Sequence, residues 1–174
     1  MEHAKELGST FCLPHQYLTD AHLDRQARRL DSFLLEYLTY VRELEMLPGL
    51  STHTPEAVVF ADRSEADLET YLQIYNSLGF LCQVETDWVQ RVIHRARRPV
   101  IVIKPLAGGR LPPATGLPFV WNTIRDRDLV ALGTLSAYEA EESIELSLAC
   151  LERRLPQVPL QVTRSKTDIR EAAQ

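Results

Sequence analysis

Short apolar runs alternate with longer amphipathic stretches along this chain, and that alternation constrains the fold more than any other feature. The run Pro99-Val100-Ile101-Val102-Ile103 is continuous and β-branched, as a strand is when both its faces are covered. Phe11-Cys12-Leu13, the segment reaching Ser51-Thr52-His53, Phe80 to Glu85 and Leu129 to Leu132 read as four further strands. Between them lie helical patterns. Ala21 to Met46 repeats Leu23, Ala27, Leu30, Leu34, Leu38, Val41 and Leu44 at steps of three and four, with Asp20 as its N-cap. Pro55-Glu56 opens a short helix. Ala66 to Leu78 puts Leu68, Tyr71, Leu72 and Tyr75 on one face and stops at Gly79. Asp87 caps a helix carrying Trp88, Val92, Ile93 and Ala96. A proline-rich loop, Leu111 to Gly116, precedes a short helix from Leu117 to Ile124. Ser136 and Glu139 form a capping box for the last helix, Ala137 to Arg154. A helical stub from Glu2 to Leu7, stopped by Gly8, precedes all of this.

Strand then helix, five times over, is a βαβ series. It predicts an α/β fold with a parallel sheet and right-handed crossovers. Two architectures accommodate five units. One is an open doubly wound sheet. The other is a partial TIM (β/α)8 barrel, since a whole barrel takes about 250 residues and this chain has 174. The helical stub favours the partial barrel. Residues 1–155 read as a single α/β domain and 156–174 as a polar C-terminal tail. A sheet of five strands would have two unprotected edges, so self-association through them is expected.

Composition narrows the function classes. The net charge of −5 argues against nucleic acid, which needs a basic face. The longest apolar run is too short to span a bilayer, so no membrane partner is expected. The three cysteines, Cys12, Cys82 and Cys150, are isolated, and no apolar leader opens the chain. A reducing cytoplasm is the expected location.

In parallel α/β folds the sites lie at the carboxyl ends of the strands. Here those ends read Pro14-His15-Gln16, Ser51-Thr52-His53, Gln83-Val84-Glu85, Lys104-Pro105-Leu106-Ala107-Gly108-Gly109 and Gly133-Thr134. This ordered set resembles the carboxyl-terminal part of the aldo/keto reductase superfamily, NADP-dependent (β/α)8 barrels. Leu13-Pro14-His15 is similar to its fourth-strand motif, whose histidine belongs to the catalytic tetrad. Gly49-Leu50-Ser51-Thr52 resembles the fifth-strand motif, with Thr52 in place of the usual Asn. Cys82-Gln83-Val84-Glu85 resembles the sixth-strand motif, whose Gln contacts the nicotinamide carboxamide. Lys104 to Gly109 is similar to the seventh-strand motif, with Lys104 where Ser is common, and Gly133 to Ser136 resembles the eighth-strand phosphate-binding turn. The resemblance covers Phe11 to Arg154. It implies a truncated barrel of strands four to eight and hydride transfer between NADP or NAD and a small-molecule carbonyl substrate. The family's catalytic Asp, Tyr and Lys come from the other half, so the chain is expected to be catalytically incomplete. Basic residues that hold a 2′-phosphate after the eighth strand are also missing.

The resemblance puts His15 beside the carbonyl, as a neutral imidazole donating a hydrogen bond. Glu85 and Lys104 are the other catalytic candidates. A lysine after such an apolar run is either a desolvated base or the ion-pair partner of Glu85. Gln83, Gly108, Gly109, Arg110, Gly133, Thr134 and Ser136 form the cofactor-binding set, with two anion-friendly turns on adjacent strands. An alternative reading is a divalent-metal-dependent lyase, isomerase or hydrolase, with His15, His53 and Glu85 as ligands. A third is a non-catalytic degenerate barrel half. The basic run Arg91, His94, Arg95, Arg97 and Arg98 reads as a solvated helix end.

Overall fold

The computed structural model describes residues 1–157. Among them the order is α1 (Glu2–Glu6), β1 (Phe11–Cys12), α2 (Gln16–Ala21), β2 (Leu23–Asp24), β3 (Arg29–Leu30), α3 (Ser32–Glu43), β4 (Leu47–Thr52) and α4 (Glu56–Arg63). There follow β5 (Thr70–Ile74), α5 (Thr86–Arg95), β6 (Val100–Ile103), α6 (Pro113–Thr123), β7 (Leu129–Ala131) and α7 (Ala137–Glu152). Five strands pair in the order β1-β4-β5-β6-β7, all parallel. β2 and β3 make a separate antiparallel pair.

The sheet runs in chain order without reversal. Each right-handed crossover therefore lays its helix on the same face. The sheet curls away from those helices into a half-barrel, open at both edges. Register and alternation assign the two faces. Leu50, Tyr71 and Val100 lie side by side and pack with Leu34, Leu38, Val58, Ile93 and Val120 of the helices. The opposite, concave face carries Leu72, Ile101 and Leu129 in one row and Ile74, Ile103 and Ala131 in the next. Leu129 on the edge strand is 53% exposed. Gly49 is required where β4 approaches β5, since a Cβ there would lie 2.7 Å from the Thr70 carbonyl oxygen.

The sheet's amino-terminal rim is fastened by one buried ion pair. The Asp128 side chain is wholly buried and accepts from the Val100 amide at 2.9 Å and from Arg125 Nε at 2.8 Å and Nη2 at 2.6 Å. Arg125 also donates to the carbonyls of Ala96 and Arg98. The pair thus ties β6, β7 and the end of α5 together.

Three sequence expectations are corrected. The single helix over Ala21–Met46 is broken. Its first part folds as the β2–β3 hairpin, turned by the Asp24 carboxylate accepting from the Ala27 amide and by Arg28 at φ +54°. The helix proper starts at Ser32, and its N-cap is Asp31, which accepts from the Leu34 amide. Asp20 instead lies inside α2. Second, Ala66–Leu78 is not a helix: Thr70–Ile74 is the third strand of the sheet. Third, Phe80–Glu85 is not a strand but a loop. The Asn76 side chain closes it by donating to the Phe80 carbonyl and accepting from the Phe80 amide. As a smaller correction, Glu85 rather than Asp87 holds the N-cap position of α5. Elsewhere bounds shift by a few residues, and Ser136 accepts from the Glu139 amide as the capping box requires. Most of the expected polar tail lies outside the described residues.

Removing Asp128 leaves a buried guanidinium edge and a buried amide without partners. Asp128→Ala is expected to destabilise folding by about 3–5 kcal/mol, read from urea unfolding. A loss within the error of that measurement would contradict this view of the rim.

Candidate functional site

All five parallel strands end at the opposite, carboxyl-terminal rim, and two groups of side chains gather there. The first is built on β1, β4 and β6. Asp20 of α2 leans onto the end of β4, where its two carboxylate oxygens accept from the Thr52 hydroxyl and from the His53 amide at 3.2 Å. Thr52 is fully buried and its Oγ1 also accepts from the Thr54 amide at 2.9 Å. The chain leaving β4 is therefore held rigidly, and the half-buried His53 imidazole is held with it. Burial pushes the His53 pKa below its ordinary value, the Lys104 cation pushes the same way, and His15 adds a little. Asp20 opposes them without reversing the shift. Lys104 and His15 are thus near enough to His53 to disfavour its charged form.

His15 is the N-cap of α2. Its Nδ1 accepts from the Tyr17 amide at 3.3 Å. A neutral imidazole that accepts at Nδ1 carries its proton on Nε2. The exposed His15 ring therefore presents an N–H donor outward. Lys104 is exposed at the end of β6, at φ +54°.

The second group lines a cavity of about 900 Å³ between the loop after β6 and the end of β7. Lys104, Gly108, Gly109 and Arg110 form one wall, and Gly133, Thr134 and Leu135 the other. Ala107, Gly108 and Gly109 are consecutively left-handed, at φ +50°, +65° and +83°. The Ala107 and Gly109 amides are taken by the Lys104 and Leu106 carbonyls, at 2.9 and 3.0 Å, and Ala107 is buried. The exposed Gly108 and Gly109, having no side chains, let backbone approach an anion closely. Arg110 is positioned rather than free. Its guanidinium lies 3.9 Å from the centre of the Phe80 ring and donates to the Ala107 carbonyl at 3.1 Å.

The facing turn is less open to anions. Glu139 accepts from the Leu135 amide at 2.8 Å, and Ser136 accepts from the Glu139 amide at 3.2 Å. The chain's own carboxylate thus occupies the N-terminus of α7, and Ser136 is not among the cavity's lining residues. Of the two walls, the Gly108–Arg110 side is the one open to an anion.

Two expected site residues are not on a strand. Gln83 and Glu85 are exposed in the loop before α5, not on a strand beside β6. For the same reason the expected Lys104–Glu85 ion pair is not formed. The strand glutamine is Gln73, in register with Thr52 and Val102. It faces the helix layer fully buried, donates to the Ile74 carbonyl at 3.1 Å, and leaves its Oε1 without a partner. The signal for β5 was the β-branched and aromatic content of Thr70-Tyr71-Leu72-Gln73-Ile74. Among the described residues no three His, Cys, Asp or Glu side chains lie together as metal ligands, so His15, His53 and Glu85 do not form the expected triad. Among the same residues no helix is long and apolar enough to cross a membrane, and the three cysteines are free.

Compared with protein-family models, curated proteins and solved structures, the chain matches none.

The surroundings of His53 fix a sign. Its folded pKa lies below the unfolded one, so the unfolded chain binds more protons in between. Stability tied to His53 is full above the ordinary histidine pKa and is lost as pH falls through the lowered folded value. Proton NMR titration should find His53 below the ordinary histidine range of about 6.5. Lys104→Met should move it up and Asp20→Asn down. Titration at or above that range would contradict the arrangement.

Proposed function

We propose that this half-barrel binds a nicotinamide dinucleotide, NADP or NAD, at its carboxyl-terminal rim, as the cofactor-holding part of an aldo/keto reductase-like oxidoreductase. The observation that carries the reading is the cavity of about 900 Å³ with the exposed Gly108 and Gly109 and the Lys104 and Arg110 cations on one wall. Its volume is in the range of sites that enclose sizeable organic ligands. In this reading the Gly108 amide and Arg110 hold a phosphate. Lys104, at the inner end of that wall, faces both the cofactor and the His15–His53 group. The bound cofactor supplies the hydride. The chain's own contribution is orientation and polarisation: His15 Nε2–H donates to a substrate carbonyl, and Asp20 holds the end of β4 in place. His53, kept neutral, adds no charge beside the reacting carbonyl. The free cysteines fit a reducing cytoplasm.

Fluorescence titration with NADPH and NADH tests the reading. Micromolar binding of one of them is expected. Arg110→Met removes a charged hydrogen-bond donor and should weaken binding about tenfold. Gly108→Val should abolish it, because Gly108 sits at φ +65° and its added Cβ would meet Phe80 at 3.2 Å. Absence of binding by either nucleotide at millimolar concentration would overturn the proposal.

A further inference from the structure

Away from the rim, two surface features are unexplained by ligand binding, and each has the chemistry the other lacks. The first is a groove of about 490 Å³ between α4 and α5. Its floor is apolar, from Val58, Val59 and Val92, and its rim carries Arg63, Arg91, Arg95 and Arg97. One acid, Asp62, lines it, and that carboxylate is already engaged by the Tyr71 hydroxyl at 2.7 Å and the Arg97 amide at 3.0 Å. Arg91 and Arg97 have only distant ion-pair partners, Asp87 at 3.9 Å and Glu65 at 3.8 Å. Among the described residues Arg63 and Arg95 have none. Trp88 stands over the groove 53% exposed, with the Arg91 guanidinium 5.1 Å from its ring. Tryptophan and arginine around an apolar floor is the composition of a protein-binding hot spot. In a chain of net charge −5 it is also a local reversal of sign.

The second feature is the outward face of α7. The helix buries Ser143, Leu146 and Ala149. Directly opposite, Ile144, Leu148 and Leu151 form an exposed stripe spaced by four and three, with Ile144 60% and Leu151 57% exposed. A helix with apolar stripes on both sides is built to be covered twice. It contains five glutamates, Glu139, Glu141, Glu142, Glu145 and Glu152, and no lysine or arginine. Arg154, beyond its end, pairs with Glu145 and Glu152 and leaves the surface acidic.

We infer that a second copy of this chain docks the Ile144–Leu151 face of its α7 into the α4–α5 groove. The apolar stripe covers Val58, Val59 and Val92, and Glu141, Glu145 and Glu152 beside it meet the arginine rim. The two surfaces lie on different parts of one molecule, so the contact is heterologous, and association continues until a ring closes or a chain grows. This inference goes beyond nucleotide binding and does not depend on it. It also places association on helices rather than on the open sheet edges.

Sedimentation equilibrium of the full chain tests it. The wild type should associate with rising concentration at about 0.1 M salt and dissociate at about 1 M, where the screening length drops from about 10 to about 3 Å. A groove variant, Arg91→Ser with Arg95→Ser, and a helix variant, Ile144→Ser with Leu148→Ser, alter exposed positions only. Each alone should associate at least about tenfold more weakly than wild type. Mixed in equal amounts, they should form a heterodimer that grows no further, because each supplies the one intact surface the other lacks. Circular dichroism checks that both fold, and Arg95→Ala and Leu148→Gln serve as milder substitutes. A wild type that stays monomeric overturns the inference. So do variants that associate as tightly as wild type, which would point to the sheet edges, and a mixture that remains monomeric.

Discussion

Strand order is the constraint on which the rest of this structure depends. Five parallel strands laid down in chain order, each crossover right-handed, put the crossover helices on one face and every carboxyl strand end on one rim. The two rims then do different things. At the amino-terminal rim, Asp128 and Arg125 consume their hydrogen-bonding capacity on one another and on backbone groups of Ala96, Arg98 and Val100. That is a fastening, with nothing left to offer a ligand. At the carboxyl-terminal rim, Lys104 and His15 are exposed, and Gly108 and Gly109 are exposed beside them. The division between a stabilising and a chemical rim is the usual consequence of a parallel α/β arrangement.

The same order leaves the concave face incompletely covered. Along β6, Val100 and Val102 are buried against the helices, whereas Ile101 and Ile103 on the other side are only half-buried. The edge strands are short, two residues in β1 and three in β7, which limits the backbone they offer for pairing. A further exposed apolar surface, on α7, is helical and bordered by acid. It therefore asks for a basic partner surface, and the chain carries one.

The sequence carried much of the fold and less of the site. Val100–Ile103 was legible because a continuous β-branched run has one common use. The last helix was legible because Ser136 and Glu139 are a local device that works without tertiary help. The failure at Thr70–Ile74 has a definite cause. Leu68, Tyr71, Leu72 and Tyr75 happen to satisfy a helical spacing, and in so short a run the strand's own signal, its aromatic and β-branched residues, was outweighed. That single misreading moved the strand end from Ile74 to Glu85 and carried Gln83 and Glu85 into the site. The helix over Ala21–Met46 failed because the apolar spacing runs unbroken through a hairpin. Asp31, the cap that marks the true start, sits within that spacing. What no sequence pattern showed was Asp20. Its role depends on α2 folding back onto the end of β4, a contact between residues thirty-two positions apart.

The cofactor is proposed to bind at the carboxyl-terminal rim between β6 and β7. Amide NMR of the full chain, with NADPH added stepwise, tests it most directly. Gly108, Gly109 and Gly133 report on the cavity, while Gly8 and Gly49 report on the rest of the fold. The account predicts that the first three amides shift, together with Arg110 and Thr134, and that the others stay in place. Shifts centred on the α4–α5 groove, or none at all, would contradict it.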